Sequence, residues 1–149
     1  MTTALEILKS KPNQEVIAVQ PHATVYEAIK LMCQKNIGAV LVMEGDAVVG
    51  IFSERDYARK IVLQERASKS TGVNLVMSPN VMFVNPRQTA EECMALMTQN
   101  RLRHLPVMEG GKLLGMISIG DLVKHIISDQ QFLIEQLEHY IAGHPVTPA

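Results

Sequence analysis

Hydrophobic residues along this chain switch between two rhythms, and the same order of switches occurs twice. Val16–Val19 and Val81–Val84 are short β-prone pieces, each stopped by a proline, Pro21 and Pro86. Apolar residues then fall at helical spacing: Val25, Ala28, Ile29, Met32 and Cys33 first, and Ala90, Cys93, Met94 and Met97 later. Thr24 and Thr89 stand where an N-cap belongs, with Glu27 and Glu92 at the capping-box distance. Gly38 and Arg103 lie just past the expected helix ends.

A hairpin is expected next in each passage. Ala39–Met43 and His104–Met108 are first strands, Glu44-Gly45-Asp46 and Glu109-Gly110-Gly111 are turns, and Ala47–Ser53 and Lys112–Ser118 return. Second helices start at Ser53 and Ser118. They carry Tyr57, Ala58, Ile61 and Val62, and Leu122, Val123, Ile126 and Ile127. Each passage thus reads β-α-β-β-α. Gln64–Gly72 is a polar connection, and Val73–Met77 a short helical lead-in stopped by Pro79. Asp129–Ile141 reads as a further amphipathic helix, and residues from His144 as a frayed tail.

The two passages are one repeat. Sliding the chain by 65 residues aligns 16–60 with 81–125 without a gap, and 15 of 45 positions are identical. The identities include Pro21/Pro86, Thr24/Thr89, Glu27/Glu92, Gly45/Gly110, Gly50/Gly115, Ser53/Ser118 and Asp56/Asp121. The expected fold class is α/β, with tandem repeats at 1–72 and 73–128 and a C-terminal helix and tail at 129–149. A ~60-residue unit is marginal alone, so the repeats are expected to share one core as a pseudo-symmetric domain.

Composition narrows the function. The 149 residues are 47% hydrophobic, enough for a core, and the net charge of −1 argues against nucleic-acid binding through a general basic field. Two cysteines, Cys33 and Cys93, make neither a disulfide framework nor a zinc motif. Both fall on the inward stripes with several of the nine methionines, where inert core packing is expected. His139 and His144 lack the company of a metal site. The start Met1–Glu6 lacks signal-peptide character, and no apolar run approaches a membrane span. A soluble cytoplasmic protein without metal is expected.

The chemistry concentrates where each hairpin ends: Gly50-Ile51-Phe52-Ser53-Glu54-Arg55-Asp56 and Gly115-Met116-Ile117-Ser118-Ile119-Gly120-Asp121. One reading is plain capping, with Ser53 and Ser118 as N-caps and Asp56 and Asp121 as first-turn acids. The other is recognition. A hydroxyl and amides at a helix start suit a phosphate, and a carboxylate can accept from both ribose hydroxyls. A strand-Gly-x-x-Ser-x-x-Asp closing each of two β-α-β-β-α units resembles a pair of CBS domains, a Bateman module. The resemblance covers roughly residues 5–128 and extends to Leu105-Pro106-Val107 after Arg103-His104. It is similar in layout to stand-alone bacterial-type CBS-pair proteins.

The resemblance implies repeats packed sheet to sheet, two clefts that bind adenine nucleotides (AMP, ADP, ATP or NAD/NADH), and pairing into a homodimer. It also implies an unidentified regulated protein and no catalysis of its own. Ser53, Arg55 and Asp56 would serve one cleft; Ser118, Gly120, Asp121, Arg103 and His104 the other. Arg55 and Arg103 stand against the alternative of solvated helix-end cations, with Arg101 expected in solvent. Ile17 and Ile37 would wall the Asp121 cleft, Met82 and Leu102 the Asp56 cleft, with Met116 at the strand base; ordinary core is the competing reading for all of them. The alternative function is a ligand-independent assembly module with vestigial clefts. An enzyme is disfavoured, because nucleophile, base and metal constellations are lacking.

Overall fold

The computed structural model describes residues 1–12 and 16–142, so the tail from His144 lies outside the described residues. Helix α1 spans Ala4–Ser10, followed by strand β1, Ala18–Val19, and helix α2, Val25–Lys35. Strands β2, Ala39–Glu44, and β3, Ala47–Ser53, form the first hairpin. Helix α3 opens as Glu54–Asp56 and continues as a π-type turn over Tyr57–Val62. A 3₁₀ turn at Val73–Leu75 precedes helix α4, Ala90–Asn100. Strands β4, His104–Glu109, and β5, Lys112–Ser118, lead into helix α5, Ile119–Ile141. The fold is therefore mixed α/β with small sheets, as the repeat pattern requires.

The local signals are realised in detail. Thr24 Oγ1 accepts from the Glu27 amide at 3.1 Å, and the Glu27 carboxylate accepts from the Thr24 amide at 3.2 Å. Thr89 accepts from the Glu92 amide at 3.2 Å. Both hairpins turn through glycines at positive φ, Gly45 at 61° and Gly110 at 58°, where a Cβ would be strained. Helices α2 and α4 end earlier than Gly38 and Arg103. Asn36 and Arg101 take the left-handed cap conformation, and the following amides of Ile37 and Leu102 close onto Met32 and Met97 carbonyls.

Four expectations change. Helix α1, with no counterpart in the pattern reading, is capped by Thr3, whose side chain accepts from Glu6 at 3.3 Å. Asp129–Ile141 is not a separate element but the distal half of a single 23-residue α5. No helix breaker interrupts the polar run Ser128–Gln131, so hydrogen bonding continues through it. The β-prone piece Val81–Val84 forms only an isolated parallel bridge, Val84 with Val107. Cys33 is exposed, because the inward stripe of α2 runs through Val25, Ala28 and Met32.

The chain forms two compact units. The first gathers α1 with Val84–Val107 and residues 115–142; the second holds residues 16–83 with Met108–Leu114. In the first, Ile7, Leu8, Cys93, Met97, Leu105, Ile117 and Leu122 form a buried cluster. In the second, Val25, Met32, Val40, Val42, Phe52, Ile61 and Val73 do the same, beside a sheet in the order β1-β2-β3. The β1–β2 pair is parallel and the β2–β3 pair antiparallel, with Ala39 opposite Ser53.

Each unit covers its glycine strand with a lead-in segment. Ser78 bridges Ile51 by two backbone bonds of 3.0 and 2.9 Å, and a Cβ on Gly50 would strike the Met77 side chain and approach the Ser78 carbonyl oxygen to 3.2 Å. In the other unit a Cβ on Gly115 would come within 2.8 Å of Leu8 Cδ2 on α1. The repeated glycine is therefore a close-approach residue, with a different neighbour in each unit.

Candidate functional site

Ser53 and Ser118 end strands β3 and β5 and cap the helices that follow, so both stand at strand-to-helix junctions. Each serine closes a reciprocal cap. Asp56 Oδ2 accepts from the Ser53 amide at 2.9 Å and hydroxyl at 3.1 Å, while Ser53 Oγ accepts from the Asp56 amide at 3.2 Å. Asp121 Oδ2 accepts from the Ser118 amide at 2.8 Å, and Ser118 Oγ accepts from the Asp121 amide at 3.2 Å. The first helical amides are also engaged: Glu54 donates to Gly38 at 3.0 Å and Ile119 to Arg103 at 2.9 Å. These last bonds tie each cap to the start of the neighbouring strand, so Arg103 and the Ser118–Asp121 station come together in one unit. The helix start is thus less open to an anion than the motif alone implied.

Two lysines, which the motif reading missed, complete the stations. Lys60 Nζ lies 3.3 Å from Asp56 Oδ1 and donates to the Val76 carbonyl at 2.9 Å. Lys11 Nζ lies 3.1 Å from Asp121 Oδ2 and donates to the Met116 carbonyl at 2.8 Å. Ser78 adds a long contact of 3.5 Å to Asp56 Oδ1. The i, i+4 spacing of Asp56 and Lys60 on a helix was a usable signal. Lys11 offered none, because it arrives on α1.

Burial differs between the carboxylates. The Asp56 side chain is 12% exposed, whereas the Asp121 side chain keeps 25% exposure. Burial pushes the Asp121 pKa up, but the Ser118 amide and the Lys11 ammonium outweigh it and hold the carboxyl below its ordinary value. Cys93 is the opposite case: burial, reinforced by Glu92, pushes its thiol up to about 11 and keeps it neutral.

The other expected residues fall as follows. Arg55 and Gly120 follow the caps on exposed positions, and Arg103 is exposed while His104 is half-buried at the start of β4. A Cβ at Gly120 would meet only Ser118 Oγ, at 3.6 Å, so packing within the chain does not require glycine there. Arg101 serves through its backbone as the left-handed cap of α4. Ile17 and Ile37 pack half-buried against the core of their unit, as Leu102 does in the other. Met82 is exposed and Met116 half-buried. An open depression of about 650 Å³ beside α2, lined by Gln20, His22, Glu27, Lys30, Leu31 and Gln34 among others, holds none of these residues. Its polar side chains are solvent-exposed. Among the described residues no three His, Cys, Asp or Glu side chains gather as a metal would need.

A helix-hairpin-helix unit built twice, with Gly-x-x-Ser-x-x-Asp at each junction, defines a class, and the CBS-domain family model matches residues 5–63 and 73–128. The chain belongs to the CBS-domain family. CBS pairs are in general regulatory, non-catalytic modules, and CBS domains commonly bind adenosine ligands.

Individual relatives support the assignment. The mitochondrial CBS domain-containing protein CBSX3 of Arabidopsis thaliana is 39% identical over 150 residues, covering 95% of this chain and 73% of the relative. The solved structure of a protein with CBS domains from Burkholderia ambifaria MC40-6, proposed to act in signal transduction, matches with TM-score 0.83 and 57% identity. It covers 87% of this chain and 96% of that one. A hexameric CBS-CP12 protein from bloom-forming cyanobacteria matches with TM-score 0.71 and 32% identity, covering 83% of this chain and 70% of that one. No helix among the described residues is long and apolar enough to cross a membrane.

Proposed function

We propose that this CBS pair is a cytoplasmic sensor of adenine nucleotides, AMP, ADP, ATP or NAD(H), that signals through a dimer or partner surface. The observation that carries the reading is the twofold construction of a junction carboxylate held by a serine amide and a lysine at Asp56 and Asp121. Capping alone needs no ammonium group, and the Thr24–Glu27 box closes with its own two bonds. In this reading the carboxylates accept ribose hydroxyls, and Arg55, Arg103 and His104 lie toward the phosphates. Ile17, Ile37, Met82 and Leu102 are the apolar side chains that meet the base. Ligand binding would favour one arrangement of the repeats over another. The test is calorimetric titration and thermal melting with AMP, ADP, ATP and NADH. A ligand at about 100 times its Kd adds ~2.7 kcal/mol. If none of the four binds at millimolar concentration, the sensor reading fails.

A second reading, ligand-independent assembly, is favoured by the surface of α5. Val123, Ile127, Ile134, Leu137 and Ile141 are exposed along it. With Gln130 they follow the alternating four- and three-residue spacing of a coiled-coil seam, with isoleucine at one set of positions. That row fits a second copy of the chain as a homodimer, and a dimer that persists without nucleotide binding would support it.

A further inference from the structure

Each Ser–Asp station carries an ammonium group, and the two come from positions that the internal repeat does not relate. In the 65-residue register Lys60 faces His125, and Lys11 faces Val76. His125 instead meets Ser10 Oγ at 2.8 Å. Lys60 reaches back from the turn after Asp56, whereas Lys11 arrives from the end of α1. Nonetheless the two make the same pair of contacts: one main-chain carbonyl, at 2.9 or 2.8 Å, and the station's carboxylate, at 3.3 or 3.1 Å. Duplication did not copy this feature; it was reached twice by different residues.

The cap does not account for it. The serine and aspartate complete their reciprocal bonds in both stations. The lysines also stay open to solvent, with side chains 36% and 27% exposed, unlike a cation sealed into a core. An ammonium has three donors, and the carbonyl and carboxylate occupy two. What the pair adds is a positive charge on a flexible stem, beside the group that would read the ribose.

We propose that Lys60 and Lys11 are the residues that select a phosphorylated adenosine over the bare nucleoside, each at its own station. This rests on the nucleotide reading above. With the lysine present, carboxylate and ammonium are together neutral, and the third N–H can meet a phosphate oxygen of the 5′-phosphate. Without it, the carboxylate stands as an unbalanced negative charge facing a dianion. The uncharged nucleoside is indifferent to that change, so the lysine acts on the phosphate and not on the base or sugar.

The test titrates the 149-residue chain with AMP and with adenosine, by calorimetry, in wild type and in Lys11→Met, Lys60→Met, Lys11→Arg and Lys60→Arg. Each methionine variant is expected to weaken AMP about tenfold or more at its station. Adenosine should stay within about threefold, and the arginine variants should recover part of the AMP affinity. Raising salt should weaken AMP less in the methionine variants than in wild type. Equal weakening of AMP and adenosine overturns the proposal, since it would make the lysines structural supports. Unchanged AMP binding overturns it as well, and a response confined to one lysine overturns it for the other station. A wild type that binds neither compound overturns the proposal before any variant is made, and the sensor reading falls with it only if ADP, ATP and NADH also fail to bind.

Discussion

Gly50 and Gly115 occupy the same place in the two repeats, yet alanine should affect them unequally. The added Cβ at Gly50 meets the Met77 side chain and the Ser78 carbonyl oxygen at 3.2 Å. That carbonyl is pinned, because it accepts from Ile51 at 3.0 Å while the Ser78 amide donates back at 2.9 Å. Overpacking costs ~1–3 kcal/mol, and loosening the paired bonds adds ~0.5–1.5 kcal/mol each. Gly50→Ala should therefore destabilise by roughly 1–5 kcal/mol after the ~0.4–1 kcal/mol that alanine regains from the unfolded chain. At Gly115 the obstacle is Leu8 Cδ2 at 2.8 Å, the tip of a rotatable side chain. Its displacement roughly cancels the alanine gain, so Gly115→Ala should lie within about 1 kcal/mol of wild type. Urea denaturation followed by circular dichroism measures both. Thermal melting should show Gly50→Ala lower by on the order of 5–10 °C. Equal effects at the two glycines, or a Gly50→Ala within 0.5 kcal/mol of wild type (about the scatter of surface substitutions), would refute the close-approach argument.

Further outcomes follow from the site and the surface. Asp121 is held below its ordinary pKa in the folded state, so its stabilisation is present above the unfolded carboxylate value and is lost as pH falls through the folded one. The stability gap between wild type and Asp121→Asn should therefore be largest near neutral pH and shrink as pH falls below the ordinary carboxylate value of about 4; a gap that widens in acid contradicts the sign. Ellman's reagent at about pH 8 should react quickly with exposed Cys33 and reach Cys93 only on unfolding, since Cys93 is buried with its thiol pushed up to about 11. Replacing Ile134 and Leu137 together with aspartate should lower the mass seen by light scattering if α5 pairs with a second copy, and leave it unchanged if assembly lies elsewhere.

Local chemistry was legible in the chain itself. The return strands Ala47–Ser53 and Lys112–Ser118 match the alternation and glycine-turn reading residue for residue, because turn, register and face are settled by neighbours a few positions apart. The same holds for the caps at Thr24, Ser53, Thr89 and Ser118. Signals that were available but weak were misread. Thr3 and Glu6 carry the spacing that announces α2, yet α1 is short and its apolar positions are few. Cys33 lies one turn beyond Ile29 and looks inward on a wheel, but the buried row runs along Val25, Ala28 and Met32.

By itself the sequence determined the repeat, the helix-hairpin-helix order within it, and the paired serine and aspartate, all of which rest on short-range periodicity and hydrogen bonding. Apart from Lys60, one helical turn from Asp56, tertiary structure decided what surrounds the carboxylates. Lys11 stands beside Asp121 because α1 packs with Leu105, Ile117 and Leu122 in one core, and Ser78 reaches Asp56 because its segment bridges Ile51. Nothing near Asp121 in the chain encodes Lys11, since the contact is a product of packing between distant segments. The repeat therefore shows two like junctions, while the charges that complete them come from unrelated places in the chain.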